Sequence, residues 1–270
     1  MRTSQPDALG HEFLNSSFTL LGVELANLSV GAALDMLHQR LRARDIKSLI
    51  FFANAHTLDL AARCDAFRRT LNEASCVLGD GIGVRLGARL NGVRVGANLC
   101  GTDLIPHLLA MKSKRKFRYY MLGATHDSIA DAAREAAAAF PSWRQVGFHD
   151  GYLRPEASAR VVEEINAARP DLLLVGMGSP LQEQWLADNH ARLHVPVCAS
   201  VGGLFDFWSG RRTRASLLMR KWCLEWVHIA FTEPHKWRRY AIGAPRYLAY
   251  VAAARLARLA ASRSSSARSL

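Results

Sequence analysis

Short apolar segments alternate with longer segments of helical periodicity along most of the chain, and this alternation limits the possible folds more than any other feature. The short segments are rich in β-branched and aromatic residues and predict strands at residues 48–53, 75–78, 117–122, 145–148, 172–175 and 195–201. The segments between them predict helices at residues 29–42, 56–72, 102–112, 127–140, 155–168 and 180–191. We therefore expect an α/β, Rossmann-like fold with a mostly parallel sheet and helices on both faces.

The C-terminal part of the chain has a different composition. Residues 204–270 contain 13 Lys or Arg and three Asp or Glu, whereas the first 203 residues contain 22 and 20. Four tryptophans and an apolar stripe through Leu248, Leu256 and Leu259 predict a basic, amphipathic helical appendage. The predicted organisation is a flexible N-terminus (1–16), a catalytic domain (17–209), the appendage (210–261) and a disordered tail (262–270).

The excess of positive charge in the appendage predicts an acidic partner. An anionic membrane surface fits a basic segment that also carries an apolar stripe. Nucleic acid is the alternative partner, but the chain contains no nucleic-acid recognition motif, so we expect no nucleic-acid binding.

Cysteine usage and hydropathy favour the cytoplasm. The five cysteines are odd in number and widely spaced, without a CxxC pair, which argues for a reducing compartment. No secretory signal and no apolar run of about 18 residues occurs in the sequence. We expect a cytoplasmic protein that attaches peripherally to the inner face of the cell membrane.

Two polar residues follow the first two predicted strands. Ligands of parallel sheets bind at the carboxyl ends of the strands, so residues at these turns are candidates for chemistry. Asn54 is either the N-cap of the next helix or a hydrogen-bonding group for a ligand. Asp80, between Gly79 and Gly81, is either an N-cap or a general base for a hydroxyl. Because the run lacks the GxGxxG spacing, a nucleotide-dependent Rossmann oxidoreductase is only the alternative function.

A third turn has the composition of an anion-binding loop. Gly176, Gly178 and Ser179 follow a predicted buried strand, and Pro180 suits the first turn of a helix. The start of a helix favours a phosphate or diphosphate through its N–H groups and its dipole. Gln182 lies in the same turn and can reach such a ligand, although a tight turn without a ligand is the alternative.

Two further turns are weaker candidates. Gly202 and Gly203 form either a second turn that lets a ligand approach the backbone or a simple bend. Thr102 and Asp103 either cap a helix or bind a sugar. No DxD motif, Walker loop or GxSxG elbow occurs, so neither a metal nor a cofactor is predicted.

In this order, the turns resemble those of the WecG/TagA/CpsF family of glycosyltransferases, over residues 18–240. The resemblance rests on AN at 53–54 with DGIG at 80–83, GTDL at 101–104, GxGSPxQExW at 176–185, GGxFDFxSG at 202–210 and LEW…EP…RRY at 224–240. It implies an inverting, metal-independent hexosyltransferase with a Rossmann-like fold. The donor would be a UDP-sugar of the N-acetylmannosamine or uronate type, and the acceptor a polyprenyl-diphosphate-linked saccharide of surface polysaccharide biosynthesis.

The resemblance also implies roles for individual residues. Asp80 matches the catalytic base, and Asn54 matches an amide beside it. Lys236 and Arg239 match basic positions that close over the site and offset the charge of the leaving group. Asn98 stands where many members have an arginine, for which Arg94 is a possible substitute. The implied substrate-binding set is Gln182, Gly176, Gly178, Ser179, Gly81, Asn98, Thr102, Asp103, Gly202, Gly203, Lys236 and Arg239. A homo-oligomer is compatible with all of these features.

Overall fold

The computed structural model describes residues 16–44, 46–154, 156–213 and 239–267. The described residues contain one eight-stranded sheet in the order β1-β2-β4-β3-β8-β7-β5-β6. β1 and β2 pair antiparallel, and the other neighbouring strands pair parallel. The strands are β1 (Ser16–Leu20), β2 (Val23–Asn27), β3 (Ser48–Ala53), β4 (Cys76–Gly79), β5 (Arg118–Gly123), β6 (Arg144–His149), β7 (Leu172–Gly176) and β8 (Val197–Ser200).

Helices cover both faces of the sheet, and each face has its own apolar core. β3, for example, is buried along its whole length because its alternate side chains enter both cores. The predicted α/β, Rossmann-like fold is therefore confirmed. The helices are α1 (Val30–Arg42), α2 (Ala55–Arg63), α3 (Asp65–Asn72), α4 (Gly81–Leu90), α5 (Gly101–Ala110), α6 (His126–Ala139), α7 (Ala157–Ala168), α8 (Leu181–Asn189), α9 (Leu204–Trp208), a π-helical turn (Arg239–Gly243) and α10 (Ala244–Ala267).

Several elements differ from the prediction. The β1–β2 hairpin was not predicted, and its two-residue turn places Leu21 and Gly22 at positive φ, as hairpin turns of this length require. The predicted helix 56–72 is two helices, because Cys64 adopts an extended conformation (φ −136°, ψ 104°) between α2 and α3. The sequence indicates a helix after Asp80 only through the N-cap alternative, and α4 forms there because Val84 and Ala88 pack into the core.

The last helix packs against α2 and α4 through its first two turns. Tyr247 and Val251 are buried in the core that also contains Phe51 of β3. The Arg246 guanidinium donates to both carboxylate oxygens of Asp59 in α2, at 2.7 and 2.6 Å, and Asp59 is fully buried. Burial alone would raise the pKa of Asp59, but hydrogen bonds and charges from Arg246 and Arg63 outweigh it and lower that pKa.

α10 is longer than the predicted segment 245–261 and includes residues 262–267, which were predicted to be disordered. Leu256 and Leu259 on this helix are 67% and 49% exposed. In the described ranges, no helix combines the length and the apolar character that a membrane crossing requires. The boundaries at 16/17 and 209/210 stay predictions.

Candidate functional site

A cleft of about 1150 Å³ lies at the carboxyl ends of the parallel strands. Residues directly after β3, β4, β5, β7 and β8 line it, together with the first turns of α10. Eleven predicted site residues share this cleft: Asn54, Asp80, Gly81, Asn98, Thr102, Gly176, Gly178, Ser179, Gln182, Gly202 and Gly203.

Of the three remaining predicted site residues, Asp103 is the one whose side chain the structure describes, and it is not among the residues that line the cleft. Asp103 lies in the first turn of α5, where its carbonyl oxygen is 2.7 Å from Nδ1 of His107. Lys236 lies outside the described residues. Arg239 begins the π-helical turn, and only its backbone is described. Arg94 is also outside the lining, so Asn98 is the residue of this pair that faces the cleft.

Asp80 is fixed where β4 ends and α4 begins. Its N–H donates to the carbonyl of Ala53 at 2.9 Å, which joins the ends of β4 and β3. The next residue, Gly81, has a φ of +88°, a conformation that favours glycine, and its N–H donates to Oδ1 of Asn98 at 2.6 Å. The carboxylate therefore sits on a turn whose backbone is held on both sides.

The Cys100 thiol contacts the Asp80 carboxylate from α5's side of the turn. Its sulfur is 2.9 Å from the Thr102 hydroxyl, and it also interacts with the Asp80 side chain. Burial, together with the negative charge of Asp80, raises the pKa of Cys100 well above its ordinary value. Cys100 is consequently a neutral thiol beside the proposed base.

Asn54 caps α2, the first of the two roles that the sequence left open. Its Oδ1 accepts from the N–H groups of His56 at 3.0 Å and Thr57 at 3.2 Å. The residue also lines the cleft, in the turn beside that of Asp80 because β3 and β4 are neighbours. Capping holds the amide in one orientation at the cleft wall, so the two roles are compatible.

The turns after β7 and β8 are in close contact. A Cβ on Gly176 would lie 2.7 Å from the carbonyl oxygen of Gly202, so glycine is required for this approach. Oε1 of Gln182 accepts from the N–H groups of Gly178 at 3.3 Å and Gly202 at 3.0 Å. Gln182 was predicted to reach a ligand, whereas the structure shows that its carbonyl oxygen joins the two glycine turns.

A buried carboxyl group holds the amide of Gln182. Nε2 of Gln182 donates to Oε1 of Glu183 at 2.7 Å, and the Ser179 hydroxyl donates to the same oxygen at 3.0 Å. Glu183 is fully buried, and this burial raises its pKa although both hydrogen bonds oppose the shift. The loop of Gly178 and Ser179 is thus built on a network of its own side chains.

Several residues of the cleft were missed by sequence reasoning. Tyr152 follows β6, and the rule that selected the other turns would have found it. Arg212 follows α9, and no sequence pattern singles it out from the neighbouring Arg211. Pro245 and Leu248 line the cleft because α10 packs beside α4, which depends on tertiary contacts.

No cluster of three or more His, Cys, Asp or Glu side chains suited to hold a metal ion occurs in the part of the chain that the structure describes.

Comparison with known proteins gives one family and a consistent set of relatives. The family described as "Glycosyl transferase WecG/TagA/CpsF family" matches residues 18–261. A Bacillus subtilis protein named N-acetylglucosaminyldiphosphoundecaprenol N-acetyl-beta-D-mannosaminyltransferase is 27% identical over 229 residues, which is 85% of this chain and 88% of that protein. Proteins of the same name from Bacillus spizizenii (31% identity over 68% of this chain and 71% of theirs) and Staphylococcus aureus (26% identity over 82% and 85%) are also similar.

Proposed function

The chain belongs to the WecG/TagA/CpsF family of glycosyltransferases, and from this premise we propose which groups it transfers and how. It is a hexosyltransferase that moves an N-acetylmannosamine-like or uronate sugar from UDP to a saccharide linked to polyprenyl diphosphate. The reaction inverts the anomeric carbon and needs no metal ion. The names of the relatives, which specify an N-acetylmannosaminyl group and a diphosphoundecaprenol acceptor, support this proposal.

The observation that carries the proposal is that Asp80 and the two glycine turns open into one cleft. An inverting transfer needs a base near the acceptor hydroxyl and an anion-binding site for the departing diphosphate on the other side of the sugar. Asp80 follows β4, whereas Gly178 and Gly202 follow β7 and β8. β3, with Asn54 at its end, separates β4 from β8, so the sugar would lie across the end of β3.

In the proposed step, the Asp80 carboxylate takes the proton of the acceptor hydroxyl. The hydroxyl oxygen forms a bond with the anomeric carbon, while the bond from that carbon to the diphosphate oxygen breaks and its electrons leave with UDP. Asn54 orients the acceptor or the base, and the N–H groups and positive end of α8 stabilise the diphosphate. Thr102 and Asn98 would contact the sugar from the Asp80 side of the cleft.

The acceptor requires a membrane, and α10 is the described element that suits one. Leu256 and Leu259 are exposed, and Arg255 and Arg258 lie beside them on the same exposed part of the helix. Basic residues near an anionic bilayer contribute about 1 kcal/mol each. We therefore infer peripheral attachment to the cytoplasmic face of the cell membrane. Lys236 and Arg239 keep the role that the family resemblance implies, which is to close over the site and offset the charge of the leaving group.

The test is a transfer assay with a panel of UDP-sugars and a short-chain polyprenyl-diphosphate-N-acetylglucosamine acceptor, in the presence of EDTA. Mass spectrometry would follow the product, and UDP release would give the rate. Asp80→Asn should lower kcat by about 10²–10⁴-fold, with little change in the donor KM. Asp65→Asn is the matched control, because Asp65 is an exposed carboxylate that pairs with Arg68 on α3.

Three results would contradict the proposal. Wild-type turnover by Asp80→Asn would show that the base is another group. Failure of the wild-type protein to use any UDP-sugar would show that the donor class is wrong, and loss of transfer in EDTA would exclude a metal-independent reaction.

A further inference from the structure

Arg212 is the only Lys or Arg side chain among the described residues that line the cleft. The lining also contains two carboxylate side chains, Asp80 and Asp206. A nucleotide diphosphate is an anion, and two carboxylates in the same cleft oppose its binding. The described lining therefore contains one side chain that can supply a permanent positive charge to the donor.

The guanidinium of Arg212 lies against the turn after β8. A Cβ placed on Gly203 would be 2.8 Å from Nη1 of Arg212 and 3.7 Å from Oδ2 of Asp206, so the cation lies directly beside the backbone of this turn, with the Asp206 carboxylate near it. The preceding residue, Gly202, is joined through Gln182 to Gly178 of the other glycine turn. Arg212 thus stands at the edge of the proposed diphosphate site and not at the Asp80 end of the cleft.

The position of the guanidinium is also fixed. The N–H of Arg212 donates to the carbonyl of Asp206 at 3.0 Å, which closes the turn after α9. Its Cζ lies over the Phe207 ring, 4.8 Å from the ring centroid, which is a cation–π contact. The edge of a guanidinium carries its N–H donors, and these match diphosphate oxygens in pairs.

We propose that Arg212 is a donor-binding residue that pairs with the diphosphate of the nucleotide sugar at the Gly203 turn. This inference rests on the proposed function, because it assumes a nucleoside diphosphate as the donor. In the reaction, the cation would offset the charge that accumulates on UDP as the glycosidic bond breaks.

Calorimetric titration with UDP and with uridine separates binding of the diphosphate from binding of the nucleoside. Arg212→Gln should weaken UDP binding by about 10–100-fold, the effect of losing hydrogen bonds from a charged donor, and should leave uridine binding within about twofold. Arg211→Gln is the matched control. Arg211 is the neighbouring arginine, outside the cleft lining, where it pairs with Asp131, and its replacement should leave both affinities unchanged.

A second variant displaces the guanidinium without removing its charge. Gly203 has a φ of −83°, so alanine fits the backbone there, but its Cβ would push Nη1 of Arg212 away from the turn. Gly203→Ala should weaken UDP binding by a smaller factor than Arg212→Gln. Combining it with Arg212→Gln should cause little additional loss, because both changes remove the same contact.

Three outcomes would overturn the inference. Unchanged UDP affinity in Arg212→Gln, beside tight binding by the wild-type protein, would show that Arg212 does not contact the diphosphate. An equal loss for UDP and uridine would assign Arg212 to the nucleoside or to the shape of the cleft. If the wild-type protein did not bind UDP at all, the proposed donor would be wrong, and this inference would fail with it.

Discussion

Replacement of Glu183 tests whether the two glycine turns are built on a neutral carboxylic acid. Glu183 is fully buried, and its Oε1 accepts from Ser179 and Gln182. Ionisation would place a negative charge in this fully buried position, which is costly in a protein interior. Burial accordingly raises the pKa of Glu183.

The expected magnitudes differ between two substitutions. Glu183→Ala removes the acceptor of two donors, and each buried donor left without a partner costs about 1–3 kcal/mol. The free energy of unfolding should therefore fall by about 2–6 kcal/mol. Glu183→Gln keeps a neutral group of the same shape with an oxygen that both donors can reach, so the loss should be about 1 kcal/mol or less.

The pH dependence of the protein's stability shows whether Glu183 is protonated in the folded state. The pKa of Glu183 in the folded protein is raised above its ordinary value of 4.5. The stability that the protonated group contributes is fully present below that ordinary value, and it is lost as the pH rises through the pKa of the folded state. Glu183→Gln has no proton to lose, so its stability relative to the wild-type protein should improve as the pH rises above 4.5.

Urea unfolding of the wild-type protein and both variants, at several pH values from roughly 5 to 9, would measure these differences in the free energy of unfolding. UDP affinity in the same buffers would show whether the network supports the diphosphate site. A neutral Glu183 is contradicted if Glu183→Gln is as unstable as Glu183→Ala. It is also contradicted if the difference in the free energy of unfolding between Glu183→Gln and the wild-type protein does not change with pH.

Two further predictions concern the walls of the cleft. Tyr247→Phe removes the hydrogen bond that the hydroxyl donates to the carbonyl of Gly83 at 3.0 Å, and should lower the free energy of unfolding by about 0.5–1.5 kcal/mol. The same change at the more exposed Tyr250 is the control in urea unfolding, and an equal loss at both positions would contradict the packing of α10. Native protein treated with iodoacetamide should be alkylated at the exposed Cys64 and not at Cys100, since burial raises the pKa of Cys100. Peptide mass spectrometry gives the ratio, and equal labelling of the two cysteines would refute this expectation.

The strands that carry the site could be predicted because they are buried on both sides. β3 occupies residues 48–53, as its continuous apolar run indicates, and β7 extends only one residue beyond the predicted 172–175. Once such strands are parallel, their carboxyl ends must lie along one edge of the sheet. The positions of Asn54 and Asp80 in one cleft follow from that topology, without knowledge of any side-chain contact.

The orientation of side chains could not be predicted in the same way. Gln182 was placed correctly in the turn after β7, but its carbonyl oxygen binds Gly202, which lies 20 residues further along the chain. Helix α4 is indicated only through the N-cap alternative for Asp80, because three glycines lower its intrinsic helix propensity. Two of them are required by tertiary packing, since a Cβ at Gly83 would overlap Ala55 and a Cβ at Gly87 would overlap the Tyr247 hydroxyl.

The number of basic residues in the C-terminal part was counted correctly, but the count does not show that these residues have different partners. The excess of positive charge in the segment 204–270 predicts one acidic partner, and the resemblance gives only Lys236 and Arg239 a role at the site. In the structure, Arg246 pairs with the buried Asp59, Arg211 pairs with Asp131, and Arg212 faces the cleft. These three arginines serve the fold or the site, and their charges contribute little to attraction by a distant surface. Among the described residues of this segment, Arg255 and Arg258 lie beside exposed leucines on α10, and they suit the proposed membrane attachment. The start of the same helix is fixed to α2 and α4, so a membrane bound at its far end would be held at a defined position relative to the cleft.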